Sequence, residues 1–327
     1  MNTRDLGRTG LRVSEIGFGG WGIGGASGDA IGYGRTDDQV SRRALQRAFD
    51  LGVTFYDTAS LYGYGHSEVL LGDVFRAVRR SIRIASKVGM LDSSGTRDFS
   101  PGFIRSSLEE SLRRLQTDYL DLYQLHDPDL DLLREDGRVL GVMEDLRREG
   151  KIREWGISAR SPQDAMAAAR ELGARVLQAN FNLLDQRVLE TGLLDLCASE
   201  RIGLIIRTPL CFGFLTGAYS SDTPFDPSDH RGRWPEEQRA RWAKAYRLFT
   251  EVCGAQEQTP AQLALRFCLS YEGVSTVIPG MLTQEHVEEN VLASALGRLD
   301  GEQLRRVEQI YAQEKFFVTP TILNRGL

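Results

Sequence analysis

The sequence is short of cysteine, of surplus positive charge and of long apolar runs, and each shortage removes a class of protein. Its four cysteines, Cys197, Cys211, Cys253 and Cys268, lack the close paired spacing of zinc ligands or of a redox dithiol. They are expected as reduced residues of an intracellular protein, packed in a core. A formal charge of -5 offers no general attraction to nucleic acid or anionic lipid. No segment approaches the roughly 20 apolar residues of a membrane span. The opening MNTRDLGRTGLRV has charges where a signal peptide carries its apolar core. The expectation is a cytoplasmic protein with no nucleic-acid or membrane partner, and no lipidation signal marks the tail TPTILNRGL.

What is present is a chain of 327 residues, 41% apolar and 26% charged, long enough to bury a sizeable core. Short apolar segments alternate with longer amphipathic ones. The apparent strands end at IGFGG, VTFYD, RIASKVG, LDLYQLH, KIREWGIS, RVLQAN, GLIIRTP and VSTVIPG. Helical periodicity fills residues 37–51, 101–116, 138–149, 162–172 and 187–199 between them. A strand followed by a helix, repeated about eight times, predicts an α/β fold, a single (β/α)8 TIM barrel spanning residues 1–327 as one domain. Residues 216–235 are rich in turn formers and are read as an elaborated loop after the seventh strand, followed by a helix at 236–253. Another helix is expected at 299–312, after the barrel. Thr36 and Gln39 are placed as a capping box, Gly52 as a helix stop, and Ser100-Pro101 as a cap and first turn.

Gly17, Gly19 and Gly22 match GxGxxG in form, yet the chain runs on through GIGGASGDAIGYG instead of entering a helix, so a dinucleotide fingerprint is not supported. These glycines are read as backbone around the first strand, able to let a ligand approach. Asp57, Lys87 and His126 sit at or just beyond the carboxyl ends of predicted strands, and Tyr62 follows in the turn after Asp57. In a barrel those ends converge on the functional face. A tyrosine beside an ammonium can donate a proton to a carbonyl oxygen, an aspartate can hold the ammonium, and an imidazole can orient the substrate. The competing reading is a set of scattered structural polar residues. The serines lack a nucleophile elbow, and His66 and His286 lack convergent spacing for a metal, so no metal site is expected.

From residue 4 to about 296 the sequence resembles the aldo-keto reductase superfamily. The resemblance is carried by FYDTASLYGYGHSEVLLG, SKVG, LYQLHDPD, GISA, LQANFNLLDQ, TPLCFGFLTGAY and VIPGMLTQEHVEEN, in that order. It implies a barrel that uses NADPH, less often NADH, to reduce an aldehyde or ketone to an alcohol. Carried onto these positions, it makes Tyr62 the general acid, Lys87 and Asp57 the pair that tunes it, and His126 the residue that orients the carbonyl. It assigns Ser158 and Gln178 to the nicotinamide carboxamide, with Asn180 nearby. Thr208, Pro209, Leu210, Gly213, Leu215 and Thr216 fall in a loop that crosses the pyrophosphate. Gly280, Glu289 and Asn290 fall at the adenosine end.

Three positions depart from the family pattern. Ala159 stands where asparagine is common. Arg207 replaces an aromatic residue that packs on the nicotinamide; its guanidinium is expected to stack on that ring or to contact an acidic substrate, and it is placed among the cofactor contacts, against the alternative of a peripheral ion pair. Leu282 stands near the usual basic partner of the 2′-phosphate, so the resemblance points to NADPH while admitting NADH. Trp21, Ile23, Tyr33, Phe99 and either Phe225 or Trp234 are expected to wall an apolar pocket for an aldehyde, ketone or sugar. Asp229-His230-Arg231 is read as a solvated turn. A sugar or polyol dehydrogenase using the same residues in reverse is the alternative enzyme, and a nicotinamide-binding regulatory or ion-channel accessory module the alternative of another class. Oligomeric state is not legible from the surface pattern.

Overall fold

Two antiparallel strands, β1 (Thr3–Asp5) and β2 (Arg12–Ser14), precede eight parallel strands whose spatial order is their sequence order. These are β3 (Phe18–Gly19), β4 (Phe55–Asp57), β5 (Arg83–Val88), β6 (Leu120–His126), β7 (Ile152–Ser158), β8 (Val176–Asn180), β9 (Gly203–Arg207) and β10 (Thr276–Val277). The computed structural model describes residues 1–26, 32–253 and 258–319. Parallel bridges from Ile16 to Val277 and from Gly19 to Gly280 join the last strand to the first, closing the expected barrel. Closure requires bare backbone: a Cβ on Gly19 would lie 2.7 Å from the Ile278 carbonyl oxygen. That contact explains one member of the GxGxxG pattern as strand packing.

Side chains alternate across a strand, so every second residue enters the barrel. Phe55, Ala85, Leu122, Val176, Ile205 and Ile278 form an inner apolar cluster, joined by Leu6, Leu11 and Val13 from the β1–β2 region. The amino-terminal hairpin thereby plugs one end of the barrel. Two residues further along the strands the inward positions turn polar: Asp57, Lys87, Gln124, Gln178 and Arg207, all buried. A larger core lies between the outward faces of the sheet and the helices.

The helices follow the expected order. They are α1 (Asp38–Asp50), α2 (His66–Phe75), α3 (Pro101–Leu115), α4 (Leu130–Glu135), α5 (Gly137–Arg148) and α6 (Pro162–Leu172). After β8 come α7 (Arg187–Glu190), α8 (Leu193–Glu200), α9 (Glu236–Cys253), α10 (Pro260–Leu269), α11 (Gln284–Leu296) and α12 (Gly301–Gln313). Asp37, not Thr36, caps α1: its carboxylate accepts from the Gln39 and Val40 amides at 2.8 and 3.0 Å. An aspartate one residue later is an equally good acceptor and carries the charge the helix dipole favours. Gly52 ends that helix at φ 84°, and Ser100-Pro101 opens α3 as expected. The single helix read over 187–199 is two, because Gly192 adopts φ 74° between α7 and α8. Cys197, Cys211 and Cys268 are buried free thiols, whereas the side chain of Cys253 and the final residues 320–327 lie outside the described set.

Candidate active site

The polar inward layer assembles around Lys87, which is 1% exposed. An ammonium has three N–H donors. Here they go to Asp57 Oδ1 at 2.5 Å, the Thr58 carbonyl at 2.9 Å and the Tyr62 hydroxyl oxygen at 3.0 Å. Tyr62 accepts from Lys87, so its own proton is left to be donated elsewhere. The His126 ring meets the Tyr62 ring edge-on, with centroids 6.1 Å apart. Asp57, Tyr62, Lys87 and His126 are thus brought together from β4, the turn after it, β5 and β6.

Asp57 is held from the other side as well. Its Oδ2 accepts from Gln178 Nε2 at 2.9 Å and from Gln124 Nε2 at 3.1 Å. Ser158 Oγ donates to Gln178 Oε1 at 3.4 Å. Ser158 and Gln178, assigned to the cofactor by resemblance, therefore also brace Asp57. Gln124 was not singled out from sequence, although it lies two residues before His126 on β6 and so shares its inward face.

Burial dominates the titration of these groups. It pushes the Tyr62 phenol up, and the nearby Lys87 ammonium pulls it back only in part. Burial alone lowers Lys87, but Asp57 and then Tyr62 outweigh it and leave the ammonium above its ordinary value. His126 is held well below the usual imidazole range by burial first, then by Lys87, Arg207 and Arg97. At neutral pH the site holds a phenol, an ammonium and a neutral imidazole.

These groups border a cavity of about 380 Å³. Asp57, Tyr62, Gln178 and Arg207 line it at the strand ends. Thr208, Pro209, Leu210, Gly213 and Thr216 line it beyond β9, and Gly280, Glu289 and Asn290 line it beyond β10. Lys87 and His126 are buried among these groups without lining the cavity, and Ser158 is covered behind Gln178. Leu215 is different: its side chain is wholly buried in the outer core. Trp21 and Tyr33 wall the cavity, but Ile23 and Phe99 are buried in the core, and Phe225 and Trp234 pack half-buried against it. Asn180 accepts from Thr208 Oγ1 at 3.1 Å.

Arg207 is not a peripheral ion pair. It is 8% exposed and donates from Nη2 to the Ala159 carbonyl at 3.1 Å. Two positions that depart from the family pattern thus meet in one contact, made through the main chain of Ala159.

The segment after β9 carries a run of left-handed backbone at Thr208 (φ 54°), Cys211 (φ 45°), Phe212 (φ 57°) and Gly213 (φ 91°). Such non-glycine conformations are costly and persist where surroundings hold them. Asn182 Nδ2 holds the Thr208 carbonyl at 2.9 Å. Further on, Asp229-His230-Arg231 is buried, correcting the solvated-turn reading. Arg231 pairs with Asp229 through Nε at 3.0 Å and Nη2 at 2.5 Å, donates to Tyr219 Oη, and lies 4.5 Å from the Tyr33 ring centroid. His230 sits against Trp21, Tyr33 and Phe212, with its backbone N–H on the Gly32 carbonyl at 3.0 Å. The loop is strapped to the segment after β3 along the cavity. Phe212, Tyr219, Arg231 and His286 also line the cavity. Aromatic enrichment in 212–234 is the signal that could have found the first two; Arg231 had no local signal, because its carboxylate partner looks like an ordinary turn residue.

Among the described residues no group of three or more His, Cys, Asp or Glu side chains has a metal-binding arrangement, and no helix is long and apolar enough to cross a membrane. The sequence profile of the Aldo/keto reductase family matches residues 15–312. The aldo-keto reductase yakc [NADP(+)] of Schizosaccharomyces pombe is 31% identical, over 88% of this chain and 85% of its own length. L-Galactose dehydrogenase of Arabidopsis thaliana is 31% identical, over 100% of this chain and 99% of its own. In solved structures, the aldo-keto reductase AKR11C1 from Bacillus halodurans, in its holo form, superposes with a TM-score of 0.77 at 28% identity, covering 98% of each chain.

Proposed function

The chain belongs to the aldo/keto reductase family, and from that premise we propose that it reduces an aldehyde or ketone to an alcohol, with Tyr62 as the proton donor. Membership carries the general NAD(P)H-dependent oxidoreductase chemistry; substrate, direction and residue roles are our reading. The observation that carries it is the use of the Lys87 donors: Tyr62 oxygen accepts one of them and keeps its own proton free beside the cavity.

The cavity residues fit a nicotinamide dinucleotide. Gly19, Gly22 and Gly280 leave bare backbone along it, and the buried Arg207 Nε lacks a hydrogen-bond partner. When bound, the cofactor supplies the hydride, which the protein's own side chains cannot. Gln178 and Arg207 would hold its reacting end, with Thr208–Leu210, Gly213 and Thr216 along the pyrophosphate and Gly280, Glu289 and Asn290 at the other end. Tyr62 gives its proton to the carbonyl oxygen as negative charge develops there. The phenolate left behind is stabilised by Lys87, which Asp57 holds charged and in place. Neutral His126, packed edge-on against the Tyr62 ring, positions that phenol for the substrate without competing as an acid.

Coenzyme choice turns on the far end. Leu282, His286, Glu289 and Asn290 are there, and the only lysine or arginine side chains lining the cavity among the described residues are Arg207 and Arg231. Arg231 already pairs with Asp229. NADPH, which the resemblance favours, would find no unpaired cation at that end, and we read the lining as accepting NADH.

Titration with NADH and NADPH, followed by turnover over a carbonyl and alcohol panel, tests this. Tyr62→Phe is expected to lower carbonyl reduction by at least about a hundredfold, the scale of positioned acid catalysis. Its cofactor affinity should stay near that of the parent. Comparable turnover in the variant would remove Tyr62 as donor, and tight binding without turnover in the parent would favour the regulatory-module reading.

A further inference from the structure

Among the described residues, Arg207 is a buried cation with no counter-ion. It lies at the inward end of β9, lines the same cavity as Tyr62, and is 8% exposed. Its Nη2 reaches only a neutral carbonyl, that of Ala159, and its Nε is buried without a partner. Among the described residues no carboxylate forms an ion pair with it. Neighbouring cations each have a carboxylate partner: Lys87 has Asp57, Arg231 has Asp229, and Arg97 and Arg160 share Asp127. Asp57 and Glu289 are the carboxylates that line the cavity; one belongs to Lys87 and the other does not reach Arg207. The reacting end therefore carries an excess positive charge in a poorly hydrated setting, where an unpaired charge acts strongly on whatever enters.

Reduction moves a hydride to the carbonyl carbon and a proton from Tyr62 to its oxygen, leaving a unit positive charge on the nicotinamide. The oxidised and reduced forms thus differ by the one property to which an uncompensated guanidinium is most sensitive. We propose that Arg207 sets which redox form of the cofactor the site holds: its charge opposes the cationic oxidised nicotinamide, so the site holds the reduced cofactor preferentially and releases the oxidised one readily. The inference rests on the cofactor reading above and deepens it. In the chemical step the same charge favours the developing alkoxide and opposes the developing nicotinamide cation, so its net effect is read in cofactor binding. Two unit charges several ångströms apart in a medium of effective permittivity about 20 repel enough to change an affinity by on the order of tenfold to a hundredfold.

The test compares dissociation constants of NADH with NAD⁺, and of NADPH with NADP⁺, by calorimetry in the full chain and in Arg207→Met, Arg207→Gln and Arg207→Lys. The parent should bind the reduced form more tightly. The two neutral variants should narrow the reduced-to-oxidised ratio by about tenfold or more, chiefly by tightening the oxidised form. Arg207→Lys should keep most of the ratio. Gln retains a donor for the Ala159 carbonyl and serves if the Met variant does not fold, with thermal melting as the check. An unchanged ratio in a folded neutral variant overturns the inference while leaving the cofactor reading intact. Failure of the parent to bind any of the four dinucleotides would overturn both.

Discussion

Tyr62, Lys87 and Asp57 owe their arrangement to donor counting. Lys87 has three protons to place, and with all three assigned the phenol oxygen accepts and keeps its own hydrogen. Asp57 is in turn pinned by two glutamine amides, those of Gln124 and Gln178. Gln124→Met preserves the length of the side chain and removes the donor. Hydrogen bonds to charged groups contribute roughly 1.5–3 kcal/mol, so kcat should fall by about tenfold or more with KM for the carbonyl little changed. As a positioning residue, Gln124 should also move the pH at which the rate declines on the alkaline side, where Tyr62 loses its proton. Unchanged kcat and an unchanged pH profile would limit Gln124 to packing. Its role was legible in principle by counting back from His126 in steps of two; the resemblance drew attention only to residues with established roles.

The loop after β9 shows where element-level reading stops. Its turn formers marked it as irregular, and irregular it is, but composition did not show that Asp229, His230 and Arg231 are turned inward. Burial there depends on Tyr33, Tyr219 and Trp21, which come from two segments far apart in the chain. Asp229→Ala leaves a buried guanidinium without its carboxylate, a loss that typically costs several kcal/mol locally. The loop should then open more often. Limited proteolysis is expected to cleave within 217–228 several-fold faster than in the parent, and cofactor dissociation should accelerate, while far-ultraviolet circular dichroism of the barrel stays the same. Equal cleavage rates would show that the aromatic contacts alone hold the strap. The break between α7 and α8 is a smaller instance: Gly192 lay inside an amphipathic pattern, and only its left-handed conformation revealed the stop.

For the whole molecule, buried neutral histidines tie stability to pH. Burial is the main cause that pulls His230 down to about 4, with Arg231 adding to it and Asp229 opposing, and His126 lies well below its ordinary value for a similar reason. An unfolded imidazole takes a proton near 6.5. Below that pH the unfolded state binds more protons than the folded one, so stability falls as pH drops from about 6.5 toward 4, and nothing is gained above 6.5. His230 alone should account for about 3 kcal/mol over that window. Urea unfolding at pH 7.5, 6.5, 5.5 and 4.5 should show the decline, and His230→Phe should make it shallower. Parallel curves for the two proteins would mean that His230 is protonated in the folded state.

The sequence by itself determined the barrel, the order of its strands and the set of groups that meet at their carboxyl ends. Those features follow from local periodicity, which repeats along the chain and needs no knowledge of distant partners. The tertiary structure decided what depends on distance and solvent. It showed that burial outweighs Lys87 in setting the Tyr62 proton, that Gln178 and Gln124 share Asp57, and that Leu215 belongs to the core. It also placed Arg207 against the Ala159 carbonyl without a carboxylate partner. Neither a proton affinity nor an unpaired charge is a property of a residue alone: both are set by which groups the fold brings within a few ångströms and by how much water it removes.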